Sequence, residues 1–274
     1  MVVAMRTRPP ASRASLAALT ACVLLTGTEA AAHQDYAGDT HPFAVVEQGR
    51  FVVHFKNNQE KKAYRLVVSA VGEVVSPRSA VADKEYADYD TRYKRREVDG
   101  RRVVFPQWES LHRGKPFYDV LEQGRPAQRV QLPWGSRRVK IVHDALVTSR
   151  EVVLLVTPEL QLFSFPRGGA RGSTPVSLRL GEPYRIYDFP VASNVARFKD
   201  GYLVCWIDTS QRLLLTWWSP STGKHKTVEV AARTDWNTSI SIAVIGDALL
   251  IAHHGLVGGK PGSQIKTILR KLPL

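Results

Sequence analysis

The sequence predicts an all-β protein built as a β-propeller, and three observations predict it. Runs rich in Val, Ile, Leu and aromatic residues, each bounded by turn residues, fill the chain after residue 40. A hairpin pattern recurs at an interval close to 50 residues. Extended helical periodicity is missing except between Ser79 and Glu97, where three tyrosines also fit one face of a helix.

Seven segments carry the strand pattern most clearly, because β-branched, aliphatic and aromatic residues dominate them and Gly, Pro, Asp or Ser residues flank them. The predicted strands are Arg50–Phe55, Tyr64–Ser69, Val152–Val156, Leu160–Phe165, Tyr202–Ile207, Leu213–Trp218 and Ala248–Ala252.

The repeating unit is an apolar strand, a short polar or glycine-containing turn and a second apolar strand. It occurs at residues 46–53, 98–104, 147–154, 198–204 and 244–250. Aligned on Val52, Val103, Val153, Leu203 and Leu249, the copies are separated by 51, 50, 50 and 46 residues. Strand-rich repeats of about 40–50 residues are typical of propeller blades, each a four-stranded sheet. We therefore expect five blades, with a β-sandwich as the alternative fold.

The two ends of the predicted domain, residues 33–274, suggest how the propeller closes. After the last hairpin only one clear strand remains, residues 264–272, so the final blade is a strand short. The segment Phe43–Glu47 either completes that blade or opens the first one. Joining the chain ends in one sheet leaves no unpaired edge strand.

Residues 1–32 are predicted to be a signal peptide. Three arginines precede an apolar stretch over residues 14–26, and Ala30–Ala32 offers the small residues that signal peptidase needs. We therefore expect a secreted or periplasmic protein cleaved near Ala32. The alternative is a lipid anchor, since residues 19–22 resemble a lipobox that ends at Cys22.

The amino-acid composition indicates which classes of partner to expect. The 274 residues include 38 Lys and Arg against 25 Asp and Glu, a net charge of +13, which favours anionic partners. Export makes nucleic acid an unexpected partner, and the apolar runs past residue 40 are too short for a transmembrane helix. Without the signal peptide only Cys205 remains, so no intramolecular disulfide can form, and its apolar neighbours predict a buried thiol.

Candidate ligand-binding residues lie in the loops that precede the first strand or follow the second strand of each repeat. In a propeller these loops gather on one face, where ligand sites form. Arginine can clamp a carboxylate, and tryptophan can stack on a sugar ring. The predicted set is Arg92, Trp108, Arg137, Arg138, Asn194, Trp236, Asn237 and His253.

Carboxylates in the same loops are the candidate catalytic residues. Asp90, Glu109 and Asp208 come from different repeats and can approach one another, as the acid and base of a glycoside hydrolase must. No metal site is predicted, because His253 and His254 are neighbours in a strand and point to opposite faces. No cofactor is predicted either, since phosphate-binding and dinucleotide-binding motifs are missing from the sequence.

The segment 237–252, Asn-Thr-Ser-Ile-Ser-Ile-Ala-Val-Ile-Gly-Asp-Ala-Leu-Leu-Ile-Ala, resembles a blade of sialidase-like propellers. That family carries arginines that clamp the sialic acid carboxylate, a Tyr/Glu nucleophile pair, an acidic Asp and repeated Ser-x-Asp-x-Gly-x-Thr-Trp loops. The loops are not found in this sequence, and the nearest trace of the family's Phe-Arg-Ile-Pro motif is Tyr184-Arg185-Ile186-Tyr187 in mid-chain. The resemblance therefore implies the propeller architecture and transfers no catalytic residue.

Fold, charge and loops together predict an exported, non-catalytic propeller. We expect its basic loop face to bind a protein partner or an acidic glycan. The alternative is a glycan-active hydrolase or lyase that uses the loop carboxylates.

Overall fold

A computed structural model describes residues 39–57, 59–82, 93–98, 101–106, 117–121, 126, 128–131, 141–157, 159–167, 175–186, 189–231, 240–257 and 260–272. Every helix or strand assigned within these ranges is a β-strand, which confirms the all-β class. Accordingly, this part of the chain contains no helix capable of crossing a membrane. The predicted signal peptide and Cys22 lie outside the described residues.

Hydrogen bonding groups the strands into successive antiparallel sheets, taken here in chain order. The first sheet contains β1 (Asp39–Glu47), β2 (Arg50–Asn57), β3 (Lys62–Val68) and β4 (Val74–Val81). The second contains β5 (Tyr93–Val98), β6 (Arg101–Pro106), β7 (Phe117–Leu121) and β8 (Gln128–Gln131). The third contains β9 (Ile141–Val147), β10 (Glu151–Thr157), β11 (Gln161–Pro166) and β12 (Val176–Arg179).

A two-stranded ribbon, β13 (Arg185–Ile186) and β14 (Phe189–Pro190), precedes the fourth sheet. That sheet contains β15 (Ala196–Phe198), β16 (Gly201–Ile207), β17 (Leu213–Trp218) and β18 (His225–Ala231). The fifth contains β19 (Ile240–Ile245), β20 (Ala248–Val257) and β21 (Lys260–Lys271). Each sheet runs as a meander, in which every strand pairs with the strand that follows it.

The five predicted hairpins are confirmed, and each joins the first and second strands of one sheet. Their turns follow Glu47, Val98, Val147, Phe198 and Ile245. In the first of them, both central residues are left-handed, with Gln48 at φ 48° and Gly49 at φ 71°. This is the pattern of a type I′ turn, whose twist matches the twist of the paired strands.

Both faces of the second strand of the fourth sheet are covered, which distinguishes a propeller from a sandwich. Every residue of Gly201–Ile207 is buried. Alternate residues Leu203, Cys205 and Ile207 share a core cluster with the fifth sheet. Tyr202, Val204 and Trp206 instead share a cluster with the third sheet. Because a sandwich sheet buries only one face, this two-sided packing establishes the propeller and excludes the sandwich.

The first and fifth sheets meet through packing. β1 pairs with β2 and so opens the first sheet, while its side chains pack against β19, β20 and β21. Ala44 and Phe51 share one cluster with Ala243 and Leu250. Among the described residues the fifth sheet has three strands, and β1 does not complete it. The structure describes five such sheets, and the number of blades in the closed ring stays a prediction.

The helical alternative between Ser79 and Glu97 is wrong wherever the structure describes that segment. β4 continues to Val81, and Tyr93 already belongs to β5. Pairing with the neighbouring strands β3 and β6 outweighs the local helical spacing of the tyrosines. Residues 83–92 lie outside the described residues.

Candidate functional site

Each sheet has two ends that differ in chemistry. The entry end is where the first strand begins, and the hairpin end is where the first strand turns into the second. In the first sheet Asp39 pairs with Asn57, and in the third Ile141 pairs with Thr157. The end of each of these second strands therefore lies beside the start of the first, at the entry end, where the candidate site residues were predicted.

Three predicted site residues belong to the described structure: Asn194, Asp208 and His253. Asn194 and His253 lie at the same junction, since Asn194 bonds to Ile242 and His253 pairs with Ile240 of the same strand. The other predicted residues fall outside the described residues and remain predictions: Asp90, Arg92, Trp108, Glu109, Arg137, Arg138, Trp236 and Asn237.

Asn194 is buried and fastens the fourth sheet to the fifth. Its Oδ1 accepts hydrogen bonds from the Ile242 amide and the Ser241 hydroxyl, both at 2.8 Å. Its Nδ2 donates to the Ile242 carbonyl at 2.9 Å. These contacts give Asn194 a structural role, and its role in ligand binding stays a prediction.

A hydrogen bond of this kind, between a side chain of one sheet and the backbone of the next, occurs at three successive junctions between sheets. Asp144 Oδ2 accepts the Val195 amide at 2.6 Å, which links the third sheet to the fourth. Asn194 then links the fourth sheet to the fifth. Ser241 Oγ accepts the Ala44 amide at 2.9 Å, which links the fifth sheet to the first. In each case a side-chain oxygen on one first strand, or on the segment leading into it, binds a backbone N–H of the next.

A β-bulge at the start of β9 turns two adjacent side chains toward the fourth sheet. The register of β9 against β10 shifts between Leu155 and Val156, opposite His143. His143 Nε2 donates to the Ala192 carbonyl at 2.9 Å, while Asp144 reaches Val195. In a regular strand these neighbours would point to opposite faces, and bulges are common beside functional sites because they redirect side chains.

Asp208 is held by a network of donors at the end of β16. Its Oδ1 accepts the backbone amides of Ser210 and Arg212 at 3.0 and 2.9 Å. The Arg212 guanidinium contacts Oδ2 at 2.6 and 2.8 Å. Burial acts to raise the pKa of Asp208, but the hydrogen bonds and charge of Arg212 outweigh it and lower the pKa. Asp208 is therefore ionised at neutral pH and unsuited to act as a general acid.

A second arginine at the entry end is stacked on aromatic rings. The Arg78 guanidinium lies 3.6 Å from the centroid of the Tyr64 ring and 5.6 Å from that of Phe55. Arg78 Nη2 binds Glu60 at 3.2 Å, and the Tyr64 hydroxyl donates to the same carboxylate. Burial and the Glu60 hydrogen bond raise the pKa of Tyr64 against the opposing effect of Arg78. Glu60, like Asp208, thus forms an ion pair with an arginine.

The remaining candidates have buried surroundings. His253 is 7% exposed and shares a strand face with Leu249 and Ile251 of the core. The predicted burial of Cys205 is confirmed, and burial raises the pKa of its thiol far above the ordinary value. Within the described ranges no group of three or more His, Cys, Asp or Glu side chains is placed to hold a metal ion.

Sequence reasoning missed Asp144 and Ser241, although the repeat marks them. Asp144 and Asn194 both stand nine residues before the aligned hairpin positions Val153 and Leu203. Ser241 stands eight residues before the corresponding Leu249. Polar residues at equivalent places in otherwise apolar strands are the signal that would have found the junctions, because buried polar groups are retained only where they are hydrogen-bonded.

Comparison with known proteins finds resemblance in structure only. No protein-family model and no curated protein sequence matches the chain. A GH43_1 enzyme from Xanthomonas citri is similar with a TM-score of 0.45 and 11% identity over 86% of this chain and 87% of that one. The catalytic domain of the Coprinopsis cinerea GH62 α-L-arabinofuranosidase scores 0.43 at 14% identity, covering 88% and 92%.

The SapL1 lectin in complex with α-methyl fucoside scores 0.42 at 10% identity, covering 85% of this chain and 80% of that one. At these scores and identities the likenesses assign no role to any residue of this chain. The predicted resemblance to sialidase-like propellers stays a prediction.

Replacing Asn194 by alanine is expected to destabilise the fold by about 3 kcal/mol, since it leaves the buried Ile242 amide and carbonyl without their partner. Denaturant unfolding of the purified protein measures the change. Ser177→Ala is the matched control, because Ser177 is exposed and its hydroxyl only accepts a bond from Gln161. The control should stay within about 0.5 kcal/mol of wild type, and an equally small loss for Asn194→Ala would refute the fastening role.

Replacing Asp208 by asparagine is expected to lower stability at neutral pH by about 1 kcal/mol, because the amide keeps the turn hydrogen bonds and loses the charge. Since the folded pKa of Asp208 is lowered, its contribution is present above the unfolded pKa of about 3.9 and disappears as pH falls through the folded value. Unfolding measured from pH 7 to pH 2 should therefore show the two curves converging in acid.

Glu159→Gln is the control for that series. Glu159 is exposed at the same end and forms no ion pair with a described residue, so its replacement should leave stability unchanged at every pH. A difference between Asp208→Asn and wild type that persists at pH 2 would contradict the ionic role of Asp208.

Proposed function

We propose that this chain is an exported propeller that binds an acidic glycan through its entry-end loops without catalysing a reaction. The observation that carries the proposal is the state of Asp208, the one candidate catalytic carboxylate that the structure describes. Arg212 holds it ionised and occupies Oδ2 with two contacts. A glycoside hydrolase needs one protonated carboxylic acid and one ionised carboxylate. Asp208 is not the acid, and its contacts with Ser210 and Arg212 occupy both oxygens that a base or nucleophile would use.

Three other entry-end carboxylates support the same interpretation, because they too are bound to neighbouring groups. Glu60 binds Arg78, and Asp144 accepts the Val195 amide. Glu182 forms an exposed ion pair with Arg179 at 2.9 Å. These carboxylates serve the fold or balance nearby cations, and recognition is left to the loops.

The loop sequences favour an anionic sugar as the ligand. Arg92, Arg137 and Arg138 supply planar guanidinium groups that can hold a carboxylate through two hydrogen bonds. Trp108 and Trp236 supply flat apolar faces suited to a sugar ring. Cleavage after Ala32 removes three Arg and one Glu, so the exported chain keeps a net charge of +11, which favours the approach of an anion.

A glycoside hydrolase is the second candidate, and the bulge at His143 favours it. This bulge brings His143 and Asp144 together at the entry end of the third sheet, beside the segment that leads into β15. Asp90 and Glu109 are the carboxylates that would complete such a site. The two candidates make opposite predictions for amide variants of these residues.

Binding to a glycan array at low and physiological salt tests the first candidate. We expect the wild-type protein to retain selected acidic glycans at both salts, because a shaped site resists screening better than a diffuse charge does. Arg137→Gln combined with Arg138→Gln should weaken binding by about tenfold or more, since each guanidinium contributes a charge-assisted hydrogen bond. Asp90→Asn and Glu109→Gln should leave binding intact.

Arg50→Gln combined with Arg150→Gln removes the same charge at the hairpin end and serves as the matched control. An equal loss in the control would reduce the interaction to net charge and refute a glycan site. Release of sugar that disappears in Glu109→Gln would establish the hydrolase instead. A protein that retains no glycan would direct the search to a protein partner.

Export is the other part of this proposal, and the mass of the mature chain tests it. Cleavage after Ala32 leaves a chain that begins at His33 and carries no lipid, as the n-region, apolar stretch and small residues of the signal predict. A protein that begins at a lipid-modified Cys22 would establish the anchored alternative. An uncleaved chain retained in the cell would refute export.

A further inference from the structure

The fifth sheet, with three described strands, has one strand fewer than each of the first four. Its third strand, β21, pairs with β20 along one edge, and no described strand pairs with the other edge. In the third and fourth sheets the third strand lies between two neighbours and is mostly buried. In β21 every residue from 265 to 271 is half-buried or exposed. The outer edge of β21 can therefore pair with an additional strand.

The outer strands of the other sheets are shorter or interrupted. β4 contains Pro77, which has no amide donor, and β8 and β12 have four residues each. β18 has seven residues and a register shift against β17. β21 has 12 residues, and its proline, Pro261, stands next to its first residue. A long edge without an internal proline is the kind that takes up extended peptides.

The side chains of β21 that face the fourth sheet combine positive charge with an apolar residue. Ile268 packs with the core between the fourth and fifth sheets, and side chains alternate along a strand. Lys266 and Arg270 therefore lie on the same face, on either side of Ile268. Arg270 Nη2 donates to the Val230 carbonyl of β18, so the outer strand of the fourth sheet lies beside this face.

The neighbouring strand β18 adds side chains of the same two kinds. Lys226 and Val228 are alternate residues of β18, and Val228 packs with the same core as Ile268. Val228 and Ile268 are half-buried, whereas Lys226 and Lys266 are exposed. The strip between β18 and the outer edge of β21 is thus lined by cations and by two partly covered aliphatic side chains.

The strands of the fourth and fifth sheets contain one acidic residue, Glu229, and it does not face this strip. Glu229 pairs with Leu214, which packs with the core toward the third sheet, so Glu229 belongs to the opposite face of β18. Asp247 lies in the turn between β19 and β20, at the hairpin end. The charge that these strands present to the strip is therefore positive.

We propose that the outer edge of β21 binds an extended acidic segment of a partner protein as a fourth strand of the fifth sheet. Backbone hydrogen bonds along the edge hold the segment, and the cations of the strip select acidic side chains. The spacing of β21 specifies two acids four positions apart, opposite Lys266 and Arg270. An aliphatic residue midway between them lies opposite Ile268.

The same cations disfavour a second copy of this chain as the occupant. β21 contains Lys260, Lys266, Arg270 and Lys271 and no acid, so two copies placed edge to edge would repel each other. Lysine on an edge strand protects against pairing with a like strand, and it leaves an acidic strand as the favoured neighbour.

Binding of a fluorescent peptide tests this proposal. The probe is N-acetylated Ser-Thr-Glu-Thr-Val-Thr-Glu-Thr-Ser, and its anisotropy is measured with the full exported protein. We expect saturable binding and slower hydrogen exchange of the outward-pointing amides in residues 265–271. The control peptide carries N-methylated amides in its Thr-Val-Thr centre, so it keeps every charge but loses backbone hydrogen bonds. It should bind about tenfold more weakly.

Charge reversal provides the decisive comparison. Lys226→Glu combined with Lys266→Glu should weaken binding of the acidic peptide by about tenfold or more, because two attractive pairs become repulsive. The same variant should bind more tightly than wild type to a peptide in which lysine replaces both glutamates. Lys61→Glu combined with Lys62→Glu makes the same change on the first sheet and should leave the affinity within about threefold of wild type. Thermal unfolding checks that both variants are folded.

Three results would overturn the proposal. The first is a failure of the acidic peptide to bind. The second is equal binding of the N-methylated peptide, or an equal loss in the Lys61 and Lys62 control, which would reduce the interaction to net charge. The third is protection of every amide in residues 265–271 of the free protein, because the edge would then already be occupied. Sedimentation velocity would tell whether that occupant is a second copy or another segment of the same chain.

Discussion

The bond from a side-chain oxygen to the backbone of the next sheet is the contact on which this architecture depends. The first strand of each sheet is an edge strand, so its outward N–H groups have no neighbouring strand to accept them. Asp144, Asn194 and Ser241 supply the missing acceptors at three consecutive junctions. If only apolar side chains packed between the sheets, those N–H groups would be buried without an acceptor. The same few residues must therefore both fill the junction and accept the hydrogen bonds.

That requirement explains why the strongest polar contacts at the entry end are structural. Asn194 uses both atoms of its amide on β19, and Asp208 uses both carboxylate oxygens on the turn that follows β16. Side chains whose polar atoms are all hydrogen-bonded in this way are rigid and desolvated. They hold in place the residues at which the loops begin and end. The longer connections at this end are free to differ in sequence, since loops can vary without disturbing the bonds that join the sheets.

The sequence predicts the local part of this fold well, and the physical reason is distance along the chain. Strand pairs such as β19 and β20 are joined by short turns, so turn residues and apolar runs predict both their pairing and their register. Contacts between sheets join residues about 50 positions apart, such as Asp144 and Val195, and no local pattern reports them. For that reason the sequence alone predicts a ligand-binding role for Asn194, whose hydrogen-bond partners among the described residues are all protein groups.

The need for hydrogen-bond acceptors between successive sheets affects the two ends of the sheets differently. At the entry end the chain passes from one sheet to the next, and arginines such as Arg78 and Arg212 are neutralised by carboxylates. At the hairpin end the chain only reverses within a sheet, so nothing in the fold requires its surface to be paired or covered. The residues of these turns can therefore vary without disturbing the packing or the side-chain hydrogen bonds that join the sheets at the entry end.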